Sequence, residues 1–118
     1  KHQPEALPVW EGMKQWPGGF IESIHLVAEE DRRSGKGMVW ISNDVDMIEG
    51  EATSDLVKLL GMVDTANGVV QRLGLGLTKL EWMFPNTDLQ IHMHRAPKGQ
   101  WLGIEAVQQY GSGGIGAA

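Results

Sequence analysis

Asp64 and Asn67 are set into an otherwise apolar run, LLGMVDTANGVV (59 to 70). In a helix a carboxylate and an amide three positions apart share one face. That pair could orient or deprotonate a water molecule for attack on a polarised carbonyl, chemistry that needs a positioned base but no covalent nucleophile. Burying a carboxylate among Met62, Val63 and Ala66 costs on the order of several kcal/mol unless it is hydrogen-bonded, so its place in this run needs a reason. A second reading stays open beside the first: Asp64 and Asn67 satisfy backbone groups near a helix bend and do no chemistry.

Asn86 and Thr87 follow Pro85 and offer donors and acceptors to the same water or carbonyl. Pro-Asn-Thr-Asp is also good turn chemistry, since Asn bonds its own backbone there. His92 and His94 lie two apart, on one face of a strand, a spacing compatible with metal ligation. No motif supplies a third ligand, so solvated strand histidines are expected and no metal. The lone His25 is read the same way. Arg95 and Lys98 flank a turn and could meet phosphates as point charges, or stand solvated. The glycines at 111, 113, 114 and 116 precede neither Gly-Lys-Ser/Thr nor a helix, so they make no phosphate loop. The five tryptophans are spread along the chain and read as packing anchors.

These residues must be carried by regular elements. Before Gly19, Pro4, Pro8 and Pro17 remove donors and fix φ, so residues 1–18 read as a linker or packed arm without regular structure. FIESIHLVA (20 to 28) alternates and predicts a strand. EEDRRSGKG (29 to 37) is a polar turn, and MVWISNDV (38 to 45) is a second strand antiparallel to the first. Thr53 or Ser54 can cap a helix whose first turn carries Asp55. That helix, 54 to 73, is apolar on nearly every side, the pattern of a buried helix, and Gly74 and Gly76 end it. TKLEWMF (78 to 84) enters a strand broken by Pro85. DLQIHMHR (88 to 95) alternates strictly, Ala96-Pro97-Lys98-Gly99 turns, and QWLGIEAVQQY (100 to 110) is a further strand. Strands before and after one buried helix describe an α+β fold, an antiparallel sheet wrapped around a central helix as in a hotdog.

The chain has 118 residues, 42% hydrophobic and 21% charged, the make-up of one globular domain. It has no cysteine, which excludes disulfides and thiolate nucleophiles and fits a reducing cytoplasm. The net charge is -5, with eleven acids against six bases in residues 1–60. Nucleic acid is therefore not expected as a partner, because such binding rests on neutralising phosphates. No apolar stretch has the length of a membrane span, and with no basic n-region followed by an apolar h-region, nothing in these residues reads as a secretory signal.

GMVDTANGVV and FPNTDLQIHMHRAPKGQWLGIEA carry a family resemblance. They contain Asp64, Asn67-Gly68, Asn86, Asp88-Leu89, His94-Arg95-x-Pro97 and Gly99-x-Trp101. In that order and spacing the chain resembles, over about residues 18 to 118, the thioesterase-like acyl-CoA hydrolases related to bacterial acyl-CoA thioesterase II. The resemblance implies the second of two fused hotdogs, spanning 19 to 118. It implies hydrolysis of an acyl-CoA thioester to free fatty acid and CoA in lipid metabolism. Asp64 with Asn86 or Thr87 would be catalytic, and Asn67, Gly68 and Arg95 would bind substrate. It implies no metal or cofactor, and a second hotdog, fused or from a homo-oligomer, as partner. The catalytic Thr of that family falls at Asn86 or Thr87. The family continues past Gly-x-Gly into a final strand with a catalytic Gln, whereas this chain stops at Ala118, so missing residues are expected on either side. The alternative is a non-catalytic hotdog that binds acyl-CoA or supports a partner domain.

Overall fold

The computed structural model describes residues 3–11, 17–29, 36–68, 86–110, 113 and 116–117. A 3₁₀ turn at Pro4–Ala6 leads into an extended arm. Then come α1 (Gly19–Glu22), β1 (Ile24–Ala28), β2 (Lys36–Asn43), α2 (Asp55–Val63), a 3₁₀ turn at Asp64–Asn67, β3 (Leu102–Val107), β4 (Gln109–Tyr110) and β5 (Gly116–Ala117). β1, β2 and β3 form an antiparallel sheet in that order. Leu26 lies opposite Ile41, and Val39 opposite Ile104. β4 and β5 make a separate two-stranded ladder.

Alternation along the three strands sends one set of side chains to the helix side. Ile24, Leu26, Ala28, Val39, Ile41, Ile104 and Ala106 join Met62 of α2 in a single core. Val39 and Ile41 on the central strand are fully buried, and each contributes roughly 1.5–3 kcal/mol by leaving water. A helix on one face of an antiparallel sheet is the α+β arrangement of a hotdog.

The arm is more ordered than its prolines predict. Trp10 donates its backbone N–H to the Leu26 carbonyl at 2.9 Å, and Ala28 donates to the Pro8 carbonyl at 3.1 Å. Val9 bridges Val27, so the arm covers the outer edge of β1, where backbone groups would otherwise lie open.

Three expectations need correction. Residues 20 to 22 are not strand: Glu22 and Ser23 donate back to Gly18 and Gly19, and the Ser23 hydroxyl bonds the Phe20 carbonyl at 2.7 Å. These local bonds close a helical turn before β1 can begin. Residues 88 to 95 form no ladder, and Leu89, Ile91 and Met93 are 51%, 39% and 52% exposed. Alternation assigns faces but does not supply a neighbour, and both edges of β2 are already taken by β1 and β3.

The third correction concerns the helix. Among the described residues it is α-helical from Asp55 to Val63, and Met62 alone is buried there, at 2% exposure. Leu56, Val57 and Leu60 are 41–44% exposed. An all-apolar helix states what can be buried, whereas the described sheet covers one side only. Residues 69 to 73 and the expected strand at 78 to 84 lie outside the described residues. Of the two capping candidates, Ser54 accepts from the Val57 N–H, while Thr53 binds Asp46 and the Met47 N–H in the preceding loop. Gly61 lets that loop close down: a Cβ there would collide with the end of the Met47 side chain.

Candidate active site at the end of the central helix

The candidate site is built where α2 tightens into a 3₁₀ turn. Met62 and Ala66 are one helical repeat apart and both face the core. Asp64 lies about 200° around the helix from Met62, so it points away from the sheet and is exposed. This corrects the expectation of a buried carboxylate among Met62, Val63 and Ala66.

The carboxylate nevertheless has a defined partner. The Asn86 side-chain amide donates through Nδ2 to Asp64 Oδ1. The pairing is side chain to side chain. Asn86 is exposed, as is the adjoining Thr87. Asn67 belongs to the same 3₁₀ turn as Asp64, and Gly68 closes it by donating to the Thr65 carbonyl at 2.9 Å. Two segments far apart in sequence thus meet with a carboxylate and an amide side by side. One carboxylate oxygen is held by Asn86, and the other can accept a proton from water.

The segment that carries Asn86 is tied at its other end as well. The Gly99 N–H donates to Asp55 Oδ2 at 3.3 Å, at the first turn of α2. Gly99 has φ +88, a conformation in which other residues are strained, so the turn that aims this N–H depends on glycine. Residues 86 to 99 therefore run back along the helix, from its C-terminal end to its N-terminal end. The sequence reading missed the Asp55 tie; the Pro97-Lys98-Gly99 turn was its only visible signal.

The remaining candidates do not join this cluster by any described contact. Arg95, Lys98, His92 and His94 are exposed. Among the described residues, no three His, Cys, Asp or Glu side chains converge as a metal site. A half-open groove of about 580 Å³ lies beside β1, lined in part by Trp10, Ile24, Leu26 and Trp101, and neither Asp64 nor Asn86 borders it. His25 there pairs with Asp44 at 3.5 Å, both well exposed. Among the described residues, no helix is long and apolar enough to cross a membrane.

Comparison with curated proteins and with solved structures gave no match. The sequence model of one family, the acyl-CoA thioesterase C-terminal domain, matches residues 4–118. Its name assigns thioesterase-type function in general and acyl-CoA as the substrate class. By that match the chain belongs to the acyl-CoA thioesterase C-terminal domain family, a thioesterase-like hotdog half.

Proposed function

We propose that this chain supplies the water-activating group for hydrolysis of an acyl-CoA thioester. The observation that carries the reading is the bond from Asn86 to Asp64. With Oδ1 held by that amide, Oδ2 accepts a proton from water while the water oxygen attacks the thioester carbonyl carbon. The tetrahedral intermediate collapses, the C–S bond breaks, and the proton held by Asp64 passes to the departing CoA sulfur. The products are a free fatty acid and CoA. Thr87, beside Asn86, adds a hydroxyl that can hold the water or the carbonyl oxygen.

Substrate contacts follow from the same neighbourhood. Asn67 and Gly68 lie on the turn that begins at Asp64, and Arg95 is the cation assigned to CoA phosphate. In this reading residues 19–118 are the hotdog, residues 1–18 its arm, and the enzyme works in the cytoplasm. The lack of cysteine accords with that compartment.

One observation favours a second reading. Asp64 and Asn86 are both exposed, and a charge acts most strongly where water is excluded. Either a second hotdog, covalently joined or in another chain, covers the pair, or this half only supports a catalytic partner. The two readings separate in one assay: release of free CoA thiol from an acyl-CoA by the full-length protein and by Asp64→Asn. Loss of turnover in the variant supports catalysis by this half, and unchanged turnover supports the supporting role.

A further inference from the structure

We infer that Thr65 is a positioning residue for the Asp64 carboxylate, an assignment that rests on the catalytic reading of Asp64. The argument begins at Met62, the one residue of α2 that is buried, which fixes the rotation of the helix against the sheet. Its carbonyl lies in the last turn, where intrahelical donors run out. Thr65 supplies one: its Oγ1 donates to the Met62 carbonyl at 2.6 Å in a half-buried setting. The Asp64 backbone N–H is directed at the same carbonyl.

Asp64 is thereby enclosed on both sides along the chain. On its N-terminal side is the helix anchored by Met62. On its C-terminal side is Thr65, whose hydroxyl holds Met62 and whose carbonyl accepts from Gly68 at 2.9 Å. A threonine hydroxyl bonded back to a carbonyl often distorts a helix locally, and the chain changes from α to 3₁₀ at Asp64, which has φ -63 and ψ -21. This change of helix type sets the direction in which the Asp64 side chain leaves the helix, toward Asn86. Valine has the shape of threonine but no donor, so it removes the bond and little else.

Misplacing a reacting group by about 1 Å can lower turnover by up to ~100-fold. In the full-length protein, Thr65→Val is expected to lower kcat by about tenfold with KM within about twofold, because the lost geometry acts on the reacting group and not on substrate binding. Thr65→Ser, which keeps the donor, is expected to restore most of the loss. On an Asp64→Asn background, Thr65→Val should change the residual rate by less than about twofold, since the group it orients is gone. A purely structural role would instead lower both backgrounds alike. If Asp64→Asn is inactive while Thr65→Val turns over normally, or if Val and Ser fall equally, the Thr65 assignment is overturned and the role of Asp64 stands. If Asp64→Asn turns over normally, the catalytic reading itself is overturned, and this assignment with it.

Discussion

The Asn86 amide reaches the Asp64 carboxylate across 22 positions of sequence, from an exposed segment to the end of the central helix. No strand ladder carries that segment among the described residues; polar ties at both ends of α2 hold it, Asn86 to Asp64 and Gly99 to Asp55.

Asn86 provides the first test. Asn86→Ala leaves Asp64 without its neighbour and is expected to lower kcat by about tenfold, within the range typical of losing a group that supports acid-base chemistry. Asn86→Asp is expected to be worse than Ala, because two adjacent carboxylates disfavour the charged form of each. Steady-state thiol release by the two variants checks the order. Equal activity in Ala, Asp and wild type would show that the contact plays no part in turnover.

Two glycines of the site region should respond differently. Gly99→Ala forces an L side chain into φ +88 and is expected to destabilise by about 1–2 kcal/mol, with a fall in turnover as the Asp55 tie loosens. Gly61→Ala meets only the flexible end of Met47, and alanine gains about 1 kcal/mol of helix propensity over glycine. Its net effect should lie within about 1 kcal/mol of zero. Urea unfolding of both variants measures the contrast.

The sheet sets the background for the site. Ile41→Ala, at a fully buried position of the central strand, is expected to cost about 2–5 kcal/mol. Asn43→Ala removes a buried amide that donates to Ser23 Oγ at 2.9 Å and accepts from the Val45 N–H at 2.7 Å. It should cost about 1–3 kcal/mol. Denaturant midpoints would check both. A neutral Asn43→Ala would show that the end of β2 is held by other contacts.

The sequence made some of this legible and not the rest, for physical reasons. Ile24 to Ala28, Met38 to Asn43 and Leu102 to Val107 alternate and lie between turn residues, so period-two reading finds them as strands. Ser54 was one of two visible caps. The same rule misled at 88 to 95, where alternation is present but none of the described strands pairs with it. It misled at Phe20 to Glu22 too, where the Ser23 hydroxyl closes a local turn. Helical periodicity placed Asp64 and Asn67 together, yet the burial of Asp64 was misjudged because one sheet face covers only the Met62 side. The meeting of Asp64 with Asn86 cannot be derived from spacing, since nothing local links the two. Residue chemistry offered Asn86 to the same water with turn chemistry as the competing reading, and the ordered set of motifs that resembles the thioesterase family favoured the first.

Turnover by Asp64→Asn in the full-length protein tests the central claim most directly. Asparagine keeps the size of the side chain and a partner for Asn86 but cannot take a proton from water. The account predicts an unchanged circular dichroism spectrum and unfolding midpoint, a KM for acyl-CoA within about twofold of wild type, and a kcat lower by at least ~100-fold. A correctly folded Asp64→Asn protein that hydrolyses acyl-CoA at the wild-type rate would contradict it and leave Asp64 a structural residue.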